Sequence, residues 1–117
     1  MISFILPFPP TVNHLTTVAR GRKVNSVKAR AYKQECALVM RGRREAIVGR
    51  VELIIELYPP DKRARDASNY IKAVEDCMTE AGVWIDDSQV KRLVVLMFDP
   101  GHAMAGTCRV TASKIEE

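Results

Sequence analysis

In RARDASNYIKAVED, Arg63–Asp76, an aspartate (Asp66) stands directly behind Lys62, Arg63 and Arg65, with Lys72 further on. A little later WIDDSQV supplies two more carboxylates, Asp86 and Asp87. Acids set among cations suit phosphodiester hydrolysis, which needs positive charge to hold phosphates and carboxylates to hold Mg²⁺ beside the scissile bond. Mg²⁺ takes one or two carboxylates and completes its shell with water and phosphate oxygens. It polarises the phosphate and activates water, while a lysine placed like Lys72 stabilises the developing charge. Each residue also has a plainer reading. An Asp before a helix caps it, and an Asp-Asp pair before a strand makes a turn. A surface lysine pairs with Glu75 or Asp76, an effect of only ~0.2–0.5 kcal/mol.

The charge distribution favours a polyanionic partner. The net charge is +4, yet residues 1–50 carry ten Lys/Arg against two acids, and the rest of the chain carries eight against twelve. Such polarity is an electrostatic footprint for nucleic acid, although an ordinary solvated surface at this mild pI is the alternative. At 117 residues and 47% apolar content the chain is expected to be one domain with a real core. Met1–Pro10 has no basic start and is broken by prolines, so it does not read as a signal peptide. No apolar run approaches the ~18 residues of a membrane span. Cys36, Cys77 and Cys108 are odd in number and far apart, which fits free buried thiols better than a disulfide framework or a zinc site. The expectation is a soluble protein of the cytoplasm.

These residues need elements to position them. Met1–Leu6 alternates as a strand and is stopped by prolines. Thr11–Asn25 is basic and lacks apolar periodicity, so it reads as a loop. Ser26 caps a helix expected to reach Ala46, with Ala29, Tyr32, Cys36, Val39 and Met40 inward. Val51–Tyr58 alternates as a strand. Tyr70, Ala73, Val74, Cys77, Met78 and Ala81 follow the 3.6-residue period of a second helix, and Gly82 stands where its C-terminal cap belongs. Val90–Phe98 and Thr107–Ile115 read as two closing strands. The order β-α-β-α-β-β predicts an α+β domain, with two helices packed on a mixed four-stranded sheet. A helix of this length spans ~20 Å, so Asp66 before it and Asp87 after it meet only if the flanking segments fold back.

LPFPPTVNH, PPDKRARDASNYIKAVEDCMTEAG and GVWIDDSQV together resemble the RusA family of Holliday-junction resolvases, over essentially the whole chain, residues 1–117. The resemblance implies a homodimeric, Mg²⁺-dependent endonuclease (Mn²⁺ substituting) that nicks four-way DNA junctions symmetrically. It places the family's catalytic residues on Asp66, Lys72 and Asp87, with Asp66 and Asp87 as metal ligands and Asp86 and Ser68 as further candidates. The family pattern Asp-x-Asp-Asn reads Asp66-Ala67-Ser68-Asn69 here, so a neutral hydroxyl stands where a ligand is expected. This departure gives an alternative reading: a junction- or nucleic-acid-binding protein of the same fold with impaired nuclease activity. Asn13 and His14 match a segment near the DNA. Arg20, Arg22, Lys23, Lys28, Arg30, Lys62, Arg63 and Arg65 are the expected DNA-binding cations. Trp84 is expected in the core, and His102 in a solvent-exposed loop.

Overall fold

A computed structural model of the chain describes residues 1–12, 16–19, 21–42 and 44–116. Its main sheet has four strands: β1 (Ile2–Pro7), β4 (Val51–Tyr58), β5 (Val90–Met97) and β6 (Thr107–Lys114), in the order β1-β6-β4-β5. β6 pairs antiparallel with both β1 and β4, whereas β4 and β5 run parallel, so the sheet is mixed as expected. Strand alternation makes it two-faced. Val51, Leu53, Ile55 and Leu57 of β4 and Cys108, Val110 and Ala112 of β6 are buried on one face. Glu52, Ile54 and Glu56 share the other face with Ser113, Thr111 and Arg109.

Two helices cover the buried face. Helix α1 (Val27–Val39) starts where the Ser26 hydroxyl accepts a hydrogen bond from the Ala29 amide, at 3.0 Å. It buries Ala29, Tyr32 and Cys36. The helix ends at Val39, short of the expected Ala46, and Val39 is exposed rather than inward. The residues beyond it, Arg41 to Arg44, carry no apolar stripe that further turns would bury, and Gly42 takes a φ of 119°. Helix α2 (Ile71–Glu80) buries Ala73, Val74, Cys77 and Met78, the stripe read from the sequence. Gly82 (φ 77°) ends it: Val83 donates to the Met78 carbonyl and Gly82 to that of Thr79, the double bond of a Schellman turn.

One element overturns the sequence reading. Part of the stretch expected to be a loop forms a hairpin, β2 (Thr16–Ala19) paired antiparallel with β3 (Arg22–Asn25), its turn containing Gly21 at φ 76°. The missing signal was apolar alternation, which a hairpin standing apart from the core sheet does not need.

The three cysteines are free and buried, one each on α1, α2 and β6. Burial pushes the Cys108 thiol up to about 12, and a hydrogen bond with Cys36, followed by burial, raises that of Cys77.

Candidate active site

The polar face of α2 carries Lys72, Glu75 and Asp76, brought together by helical spacing. The Lys72 Nζ donates to Asp76 Oδ1 at 2.9 Å, which is the pairing the plainer reading anticipated. Behind this face the chain turns and is fixed by Trp84, buried as expected at 1% exposure. Its Nε1–H donates to Thr79 Oγ1 (2.7 Å), and Thr79 donates in turn to the Glu75 carbonyl (2.9 Å). A bridge between Ile47 and Trp84 ties the turn to the entry of β4.

The next residues form a short 3-10 turn, Asp87–Gln89, that leads directly into β5. Asp86 caps it by accepting from the Ser88 amide at 3.1 Å. Those bonds to Ser88 hold the Asp86 carboxyl below its ordinary range. The Gln89 side chain uses all of its bonding capacity. Its oxygen accepts from the amides of Ile85 (2.9 Å) and Asp86 (3.1 Å), and its nitrogen donates to the carbonyls of Ile47 (2.8 Å) and Gly49 (2.9 Å). So the turn reading holds for Asp86, whose carboxylate is engaged, and leaves Asp87 free to do something else.

Asp87 faces α2. Burial, and then the Asp87 charge, raise the Glu75 carboxyl above its usual range. The hydrogen bond to Asp76, and then Asp87 and Glu75, hold the Lys72 ammonium above its own. The structure therefore brings Lys72, Glu75, Asp76 and Asp87 into one electrostatic group. Sequence reading treated Glu75 only as a partner for Lys72 and passed over Gln89. The Asp86-x-x-Gln89 spacing, a capping-box pattern, was the signal that could have found it.

Asp66 comes from the segment ahead of α2. It precedes a second 3-10 turn, Ala67–Tyr70, but its carboxylate makes no capping bond there and is exposed, so the capping reading fails. It is not among the charges acting on Lys72 or Glu75. The turn it opens packs on β5, the strand Asp87 leads into, and Ser68 is exposed within that turn. No group of three or more His, Cys, Asp or Glu close enough to hold a metal forms among the described residues. Asp66 and Asp87 offer hard carboxylate oxygens free of capping duty. That donor set fits an ion such as Mg²⁺, which fills most of its shell with water and phosphate.

The cations divide into engaged and available ones. Arg65 is only 12% exposed; its guanidinium pairs with Asp61 at 2.9 Å, donates to the Asp61 and Arg63 carbonyls and lies over the Phe8 ring. Arg63 also reaches Asp61, at 3.6 Å, while staying 82% exposed. Asp61 thus gathers both arginines, and the Arg63 amide, followed by Arg65, keeps its carboxyl below the ordinary range. Lys28, Arg30 and Lys62 are exposed. A groove of about 320 Å³, lined by Phe8, Pro9, Lys28, Arg63 and Tyr70 among others, runs beside the Arg65–Asp66 segment. Asn13, His14 and Arg20 lie outside the described residues, and for Arg22 and Lys23 only the backbone, in β3, is described. His102 is exposed, as expected, with its ring 4.6 Å from that of Tyr58.

Comparison with known proteins gives a consistent answer. The family described as Endodeoxyribonuclease RusA matches residues 7–111. The crossover junction endodeoxyribonuclease rusA of Enterobacteria phage 82 is 39% identical over 87 residues, covering 73% of this chain and 72% of the relative. The protein of the same name from Escherichia coli K12 is 38% identical over 90 residues, covering 75% of each chain. That of Shigella sonnei is 37% identical over the same length.

Proposed function

The chain belongs to the RusA family of endodeoxyribonucleases, and from that premise we propose that it resolves four-way (Holliday) DNA junctions. It does so by Mg²⁺-dependent phosphodiester hydrolysis, as a homodimer making paired symmetric nicks in the cytoplasm of its host. The observation that carries the reading is the placement of Asp87. The Asp86–Gln89 cap does not draw on the Asp87 carboxylate, and the Asp87 charge acts on Lys72, which supports a shared role. Asp66 and Asp87 would hold the metal, which when bound polarises the phosphate and activates water. Lys72 stabilises charge on the phosphate oxygens as the bond to the leaving oxygen breaks; until then Asp76 holds its ammonium in position. Lys28, Arg30, Lys62 and Arg63 contact phosphates. Arg65 orders the segment ahead of Asp66 through Asp61 and Phe8.

Ser68 supports a second reading. With a hydroxyl where the family pattern has a carboxylate, the chain would bind junctions with impaired cleavage. One experiment separates the two. Four-way junction and linear duplex are offered with Mg²⁺ or Mn²⁺, and binding is followed separately in EDTA. Junction-selective cutting is expected for the natural chain. Asp66→Asn and Asp87→Asn should each abolish cutting while binding in EDTA stays equal or tightens, because one negative charge leaves a surface that faces phosphates. Junction binding without any cutting by the natural chain would establish the second reading. Loss of folding in either variant would return that aspartate to a structural role.

A further inference from the structure

The groove beside Asp66 has a lining that phosphate contacts alone leave unexplained. Three segments form most of it: Phe8–Thr11 behind β1, Arg63–Arg65 ahead of Asp66, and Lys28 near the start of α1. Its volume of about 320 Å³ lies at the small end of ligand sites, which span ~300–1,000 Å³. A second hollow of about 350 Å³ shares Phe8, Pro9, Pro10 and Lys28 with it, so the Phe8–Pro10 segment borders open space twice. A surface that only follows a phosphate backbone is expected to offer donors. Pro9 and Pro10 have no N–H to offer, and Phe8 and Tyr70 add rings.

The apolar part is built before any ligand arrives. The Phe8 amide donates to the Gly106 carbonyl at 3.0 Å. Its ring meets that of Tyr70 in a T-shaped contact, centroids 5.1 Å apart. Arg65, held by Asp61, lies 5.4 Å over the same ring. The prolines fix their own φ angles. Such preorganisation removes much of the ordering cost that opposes binding. The charge is complementary to a phosphate: no acid lines the groove, whereas Lys28 and Arg63 are exposed, Arg63 at 82%. The second hollow contains Glu35, so a phosphate belongs in the first. Asp66 follows Arg65 directly in the chain.

A base inside a duplex shows its faces only to neighbouring bases. A recess of rings and prolines beside free cations therefore fits a nucleotide that has left the stack. Where stacking or pairing is already interrupted, exposing such a nucleotide costs least. We propose that this groove holds one unstacked nucleotide of the DNA, its base against Phe8 and Pro10 and its phosphate on Lys28 and Arg63. The site rests on the proposed junction cleavage for its setting. Its test needs neither a junction nor a metal.

In EDTA, the chain should bind octathymidylate about tenfold more tightly than an abasic strand of equal length and charge, since stacking on aromatic rings tolerates any base. Phe8→Leu should erase that difference with the circular dichroism spectrum unchanged, and Pro10→Ala should reduce it. Lys28→Gln/Arg63→Gln should instead weaken both strands alike, and lower the slope of log affinity against log salt by ~0.7 for each cation removed. Equal affinity of the natural chain for the two strands would overturn the proposal, whether or not junctions are cut. So would a preference for bases that survives both Phe8→Leu and Pro10→Ala, which would place the bases elsewhere. Base-dependent binding in a chain that cuts no junction would uphold the groove and count against the cleavage reading alone.

Discussion

Gln89→Met tests whether the placement of Asp87 depends on one uncharged side chain. Methionine keeps length and flexibility but none of the four hydrogen bonds that Gln89 makes to Ile85, Asp86, Ile47 and Gly49. A hydrogen bond contributes a net ~0.5–1.5 kcal/mol. Three of these four lie at the surface, where water replaces part of what is lost, and the bond to Ile47 is the more buried one. The expected cost is therefore roughly 2 kcal/mol, which for a domain of this size lowers Tm by about 8 °C. Function should suffer more than stability. Freed from both β4's entry and its own turn, Asp87 shifts relative to Lys72, and a displacement of ~1 Å in a reacting group costs about 100-fold in rate. Melting curves and single-turnover cleavage of a four-way junction, with binding in EDTA as control, read these separately. Gln89→Glu should fall between, since a carboxylate can still accept from Ile85 and Asp86 but repels the carbonyls of Ile47 and Gly49. Cleavage by Gln89→Met within twofold of the natural chain, with Tm unchanged, would refute the reasoning.

Two further outcomes are expected. Ser68→Asp adds a charged ligand in the turn that follows Asp66, so cleavage should need less Mg²⁺ and run faster in a metal titration, with no gain in junction binding in EDTA; unchanged cleavage would place residue 68 outside the metal shell. Asp61, whose folded pKa is depressed, contributes stability above its usual 3.8 that is lost as pH falls through the lower folded value. Asp61→Asn should therefore flatten the acid limb of Tm against pH, and an acid limb identical to that of the natural chain would show that the Arg63–Asp61–Arg65 clip is unimportant.

What could be read from sequence followed from periodic burial. α2 and β4 carry regular apolar patterns because each presents one face to the core, and both were read nearly to the residue. The hairpin β2–β3 has no such face in the core sheet and left no pattern. The end of α1 was overrun because Arg41, Arg44 and Glu45 suit a helix by propensity alone, while nothing there needs burying. The candidate site was legible as residue types and illegible as geometry. Asp86 and Asp87 are neighbours, yet it is Asp86 that caps the turn, and only the hydrogen bonds of Ser88 and Gln89 tell them apart. Likewise Arg65 counts as a phosphate ligand by composition, until Asp61 and Phe8 are seen to occupy it.

The three interior thiols make the chain its own reporter of opening. A thiol held near 12, as at Cys108, offers almost no thiolate at neutral pH, so an alkylating reagent reacts only when the surrounding structure parts. Because Cys36, Cys77 and Cys108 sit on α1, α2 and β6, the order in which mass spectrometry finds them labelled tells which layer lifts first. If α2 swings away while a junction is gripped, Cys77 should become reactive ahead of Cys108, and the motion would be timed without adding any probe to the protein.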